Sequence, residues 1–253
     1  MSIRTATANG VATIEIARPE KKNALTQAMY AEMAEALAAA GADAAVRAVL
    51  IAGQPGVFTS GNDLEDFMQR PPAGEDSPVF RFMHALADCP KPVVAAVTGA
   101  AIGIGTTMLL HCDLVYVSDE ARLAMPFVGL GLVPEFASSL LVTQLVGHAK
   151  ATELLLLGEP FNGERAVELG FANAVLPASE VVNHARRMAE RFNALPPGAV
   201  RESKTLMRRG QHALVREQIG AEATVFGQRL RSPEATEAFQ AFFQKRKPDF
   251  SKF

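Results

Sequence analysis

Two stretches constrain the fold of this chain most strongly, VRAVLIAG at 46–53 and KPVVAAVTG at 91–99. Each is a nearly continuous apolar run closed by glycine, the pattern of a strand buried on both faces. A sheet with one wet face would alternate instead, so such strands require helices packed on either side. The intervening sequence supplies them. A helix is predicted from about Thr26, with Met29, Met33, Ala36 and Leu37 at helical spacing, and another over roughly Val79 to Ala87. AAIGIGTTMLLHCD makes a glycine-rich entry into a third helix, and DLVYVSD gives a further strand. Upstream, Asn9-Gly10 before VATIEIA predicts an opening hairpin, and Asp63 is placed to cap a short helix.

From about Ala178 the signals are helical almost to the end, through EVVNHARRMAERF, GAVRESKTLMRR, LVREQIGAEATVFGQRL and PEATEAFQAFFQKR. The chain therefore reads as an α/β core with a helical tail. RPPAGEDSP, residues 70–78, is the most linker-like piece, and it reads as a mobile loop because the strand and helix rhythm resumes after it.

The 253 residues carry a net charge of −2 with no dense basic block, which argues against a nucleic-acid partner. No apolar run is long enough to span a membrane, MSIRTATANG lacks an apolar signal core, and the ending SKF is a near-miss for a peroxisomal address. Cys89 and Cys112 lie in different elements and read as reduced, buried thiols of a cytoplasmic protein.

TGAAIGIGTT at 98–107 is neither a dinucleotide fingerprint nor a P-loop. A strand that turns through glycines into a helix does, however, leave backbone N–H groups free to meet an anion. FTSGNDL at 58–64 is a second junction of this kind, and two such turns could converge on one oxygen as an oxyanion hole. There is no nucleophile elbow; Ser138 and Ser139 read as helical, and His84, His111 and His148 as structural. No pattern suggests a metal. Glu135, in GLGLVPEFASSL, stands alone in an apolar run. It could be a first-turn helix acid, or a desolvated base among Val128, Leu130, Leu132, Val133 and Phe136.

FTSGNDL, PKPVVAAVTGAAIGIG and HCDLVYVSDEARLAMPFVGLGLVPE, in this order, resemble the enoyl-CoA hydratase/isomerase (crotonase) superfamily. NGVATIEIARPEKKNAL and LLLLGEPFNGERAVELGFANAVLP extend the resemblance over essentially the whole chain. It implies a spiral of ββα repeats over residues 1–195 with the acyl-CoA site, and a helical trimerisation region over 196–253, giving a homotrimer or a dimer of trimers. It implies an acyl-CoA thioester as substrate, with no cofactor beyond the coenzyme A that the substrate carries. The oxyanion amides would fall on Ser60 and Ile104. Lys22, Ala24, Gly61, Asn62, Asp63, Leu64, Gly103 and Phe127 would line the substrate.

A hydratase of this superfamily keeps two glutamates at the positions of Thr107 and Phe127. Both carboxylates are missing here, and hydration needs a base and an acid about one water. Glu135 instead matches the proton shuttle of the peroxisomal type of Δ3,Δ2-enoyl-CoA isomerase, which needs a single carboxylate. A hydratase or other lyase with an unfamiliar acid, and a non-catalytic acyl-CoA-binding module, are the alternatives.

Overall fold

The computed structural model describes residues 2–71, 74 and 76–253. Pro72, Ala73 and Glu75, within the stretch expected to be a loop, lie outside the described residues.

β1 (Ile3–Ala8) and β2 (Val11–Ile16) form the expected antiparallel hairpin. Asn9 and Gly10 take φ of 49° and 70°, the left-handed pair that a two-residue turn between right-twisted strands demands. α1 (Gln27–Ala42) begins where Thr26 Oγ1 accepts the Met29 N–H, and it buries Met29, Tyr30, Met33 and Leu37. β3 (Ala48–Ala52), β4 (Val57–Thr59), α2 (Leu64–Gln69) and α3 (Pro78–Ala87) follow, α2 capped by Asp63 as expected. The next unit is β5 (Val93–Val97), β6 (Ala100–Ile102) and α4 (Ile104–Thr107), which runs on as a 3-10 turn to His111. After β7 (Leu114–Ser118) and β8 (Arg122–Ala124) come α5 (Ser138–Val146) and α6 (His148–Leu155). β9 (Phe161–Asn162), α7 (Gly163–Glu168) and β10 (Ala174–Leu176) complete the α/β part. The tail is helical as expected: α8 (Val181–Glu190), α9 (Pro197–Arg208), α10 (His212–Arg229) and α11 (Pro233–Phe243).

The strands sort into two sheets, β1-β2-β3-β5-β7-β10 and β4-β6-β8-β9. From β3 to α5 successive units place one strand in the larger sheet, the next in the smaller, and then one or two helices, so the chain winds as a spiral of strand-strand-helix turns. Apart from β1/β2 and β8/β9 every pairing is parallel. The smaller sheet escapes a reading of the sequence because strands of two or three residues are too short for any periodicity to register.

β3 and β5 are buried at every position, and their side chains alternate between two apolar layers. Val49, Ile51, Val93, Ala95 and Val97 join α1 and α3 in the main core. Leu50, Ala52, Val94 and Ala96 face the other way and meet Val181, Ala185 and Ala189 of α8. This is why the two opening runs show no polar alternation. The tail is tied to the core by Asp113: Lys204 Nζ donates to its Oδ2 at 2.6 Å and to Lys91 O at 2.7 Å, and Arg208 donates to its Oδ1 at 2.9 Å. Cys89 and Cys112 are free thiols. No helix among the described residues is long and apolar enough to cross a membrane.

Candidate active site

β4 and β6 are parallel neighbours, with Val57 opposite Ala100 and Thr59 opposite Ala101, so the two strand-to-helix turns leave the small sheet side by side. Glycine lets them touch. Gly61 has φ of 92°, and a Cβ there would stand 2.8 Å from Ile102 O; at Gly105 a Cβ would stand 2.7 Å from Thr59 Cγ2. Each turn is thus backed directly onto the other strand.

The amides of the first turn have different fates. Ser60 N–H donates to Lys22 O at 3.1 Å, Gly61 N–H to Thr59 Oγ1 at 3.1 Å, and Asp63 N–H to Leu25 O at 2.8 Å. Ser60, expected as an oxyanion donor, is therefore committed to Lys22. Among the described residues Asn62 N–H has no acceptor, and neither does Ile104 N–H, which opens α4. Gly103, with φ of 57°, spends its N–H on Ala124 O, and the buried Phe127 ring lies 3.7 Å from where a Gly103 Cβ would be.

Residues 22–24 are stitched to the same place. Lys22 and Asn23 take φ of 51° and 56°. The Asn23 side chain accepts the Arg18 N–H at 2.7 Å and donates to Val57 O and Phe58 O, each at 3.1 Å. Arg18 donates to Ala24 O at 2.9 Å and to Asp63 Oδ2 at 2.7 Å. Burial opposes the Asp63 charge, but the hydrogen bonds from Arg18 and the Asp66 N–H prevail and hold the carboxyl below its ordinary range. Lys22, Ala24, Gly61, Asp63 and Leu64 are thereby gathered at one edge of the small sheet.

Glu135 comes to this place from the segment before α5. It is 6% exposed. Thr107 Oγ1, at the end of α4, donates to its Oε1 at 2.5 Å, while its Oε2 is buried with no hydrogen-bond partner among the described residues. Glu135 and Asn62 share a pocket otherwise lined by Phe67, Val79, Phe80, Met83, Phe136, Ile219, Ala223 and Phe226. Open space there is about 20 Å³, near the volume that one water centre needs, so anything larger must displace side chains to enter. Burial in this apolar setting pushes the Glu135 carboxyl up to about 8, against the Thr107 hydrogen bond and with a further push from the Glu222 charge.

The chain turns sharply after Glu135. Phe136 and Ala137 both take left-handed φ, 60° and 55°, although neither is glycine. Phe136 is clamped by His111, whose ring stacks on it at 3.8 Å and whose Nε2–H donates to Phe136 O at 2.8 Å. Burial drives the His111 pKa down to about 4, so the ring is neutral and serves the structural part expected of it. Ala137 N–H donates to Glu222 Oε2 at 2.6 Å, and Ser139 donates to Glu222 Oε1 through its N–H at 3.0 Å and its hydroxyl at 2.5 Å. Glu135 is consequently not a first-turn acid of α5: the helix starts at Ser138, and Glu222 serves its N-terminus.

Three participants carry no local signal in the sequence. Thr107 reads as a missing acid, yet it is the hydrogen-bond donor to Glu135. Tyr30 lies on the core face of α1 and donates to Asn62 Oδ1 at 2.5 Å, its own proton held by burial and by the Glu135 charge. Glu222 reaches Ala137 across 85 residues, in a helix whose pattern resembles any solvated one. Among the described residues no group of acids, histidines and cysteines could hold a metal.

Comparison with known proteins bears on this geometry. The family model described as enoyl-CoA hydratase/isomerase matches residues 6–252. The human protein named enoyl-CoA delta isomerase 2 is 34% identical over 245 residues, covering 94% of this chain; the chain spans 62% of that relative's length. A probable enoyl-CoA hydratase of Bacillus subtilis is 32% identical over 246 residues, 95% of each chain. The solved structure of Pseudomonas aeruginosa OdaA superimposes with a TM-score of 0.94 at 56% identity, covering 95% of this chain and 98% of the other. The winding of the strands agrees with these neighbours, and the chain belongs to the enoyl-CoA hydratase/isomerase family.

Proposed function

We propose that the protein is a Δ3,Δ2-enoyl-CoA isomerase in which Glu135 carries a proton between two carbons of the acyl chain. The observation behind this reading is Glu135 Oε2: a buried carboxylate oxygen with no hydrogen-bond partner among the described residues, in a pocket that contains no other titratable acid among them. In the scheme the thioester oxygen lies against the Asn62 and Ile104 amides. Oε2 removes a proton from C2, and charge moves onto the thioester oxygen, where each fixed donor contributes about 2.7 to 4 kcal/mol. The same carboxyl then returns the proton to C4 of the dienolate. A raised carboxyl pKa suits both halves, because the group must release the proton as readily as it takes it.

Hydration is the second reading, supported by relatives named hydratase, such as that of Bacillus subtilis. It needs an acid as well as a base about one water. Thr107 and Phe127 offer none, and Glu222 already accepts three hydrogen bonds from Ala137 and Ser139. Incubation with 3-enoyl-CoA and, separately, with 2-enoyl-CoA tests the proposal: conjugation of the first without hydration of the second is expected, and hydration of the second alone would overturn it.

A further inference from the structure

We infer that Glu222, on the helix that covers the pocket, is a positioning residue for Glu135: its carboxylate holds the Phe136–Ala137 turn in the left-handed shape that aims Glu135 into the site. The inference rests on the reading of Glu135 as the base.

Two consecutive left-handed non-glycine residues are an unfavourable arrangement that persists only where the surroundings enforce it. His111 clamps Phe136, and Glu222 clamps the next residue. α5 has no capping side chain of its own, because Ala137 stands at its N-cap. Glu222 supplies from another element what Ala137 cannot, taking the Ala137 and Ser139 amides on separate oxygens. Gln218, one turn earlier on α10, donates to Ser139 Oγ at 2.8 Å and fixes that hydroxyl toward Glu222. A bare helix cap could be met by a local serine or threonine. Burial raises the pKa of Glu222 itself, against the hydrogen bonds from Ser139, Ala137 and Gln218; where it is ionised, its negative charge disfavours ionised Glu135.

Among the described residues Glu222 is the one charge that acts on Glu135. Tyr30 approaches from α1, and His111 from the turn after α4 is neutral. On α10 itself Arg229 is engaged by Gly131 O and by Glu234 of α11. Asp66 of α2 is held by Arg70, Asp88 after α3 by Arg216, and α3 gives the pocket Val79, Phe80 and Met83. Glu222 is therefore the charge whose removal the base should sense most.

The test uses the full chain as wild type, Glu222→Ala and Glu222→Gln, with Glu135→Gln as reference. The 13C signal of the Glu135 carboxyl, assigned by its loss in the reference, is titrated in each, and isomerase kcat and KM are measured across pH. Glu222→Gln should titrate Glu135 at lower pH than wild type. Glu222→Ala should lower kcat about tenfold or more, with KM changed less than about threefold. An unmoved Glu135 titration in Glu222→Gln, or wild-type kcat in Glu222→Ala, overturns the inference. Should Glu222→Ala not fold, the glutamine variant decides alone. If the wild type lacks isomerase turnover the proposed reaction fails, and the carboxyl titration still answers for Glu222.

Discussion

Glu135 can take up charge only against surroundings that oppose it, and the consequences are measurable. On the proposed mechanism the base must be ionised, so kcat/KM for isomerisation should climb through a pH of about 8 and level off above it. Thr107 donates to the ionised form, so Thr107→Val removes support from the anion and moves that limb to still higher pH. At pH 7 the loss should be roughly tenfold, the worth of a hydrogen bond to a charged group, and recovery at high pH would separate this effect from misfolding. Stability follows the opposite sign. The folded carboxyl keeps its proton up to about 8, whereas an unfolded glutamate releases it near 4.5, so stability falls as pH rises between those values. On the proposed mechanism Glu135→Gln should abolish turnover, and it should also remove this fall, leaving the variant more stable than wild type at pH 8 by on the order of 4 kcal/mol. Urea unfolding at pH 5 and pH 8 measures it, and parallel pH dependence in the two proteins would contradict the assignment. Glu135 was legible in the sequence as a lone acid in an apolar run, but of the five chain neighbours expected to desolvate it only Phe136 lines its pocket; Val128 is exposed, and the other apolar walls come from α2, α3 and α10. Thr107 was legible only as an absence, since the contact that gives it meaning lies 28 residues away.

At the scale of elements, the site depends on two short strands lying edge to edge. Gly61→Ala combines a left-handed φ with a Cβ driven to within 2.8 Å of a backbone carbonyl that cannot rotate aside. It should cost about 1–3 kcal/mol and lower kcat/KM more than it lowers the melting temperature would suggest, because the two turns must part. Thermal melts beside steady-state kinetics on the same sample check this. The sequence showed that two strand-glycine-helix turns exist, since glycine spacing is local information. It could not show which amide each turn leaves free. Ser60 and Asn62 differ in that respect because Lys22 O, from a separate loop, occupies one of them. The long strands β3 and β5 were readable from composition, while β4, β6, β8 and β9 were not, having too few residues to express a period.

For the whole molecule, the helical tail both closes the site and presents apolar surface. Leu206 and Met207 on α9 are 65% and 85% exposed, and Leu214 and Phe242 are also open to solvent. Exposed large apolar side chains of this kind suit an interface, and we expect the homotrimer or dimer of trimers that the resemblance implies. Light scattering should give three or six times the 27.0 kDa chain, and Met207→Glu should shift the mass toward one chain. A monomeric wild type at micromolar concentration would count against the trimer. α10 contributes Ile219, Ala223 and Phe226 to the pocket wall and Glu222 to the turn beneath the base. A lineage that never alters its base can therefore retune the pH at which it works by drift in a distant helix. The tail is a dial on base strength, and the inheritance of catalytic behaviour is spread over segments far along the chain from the base.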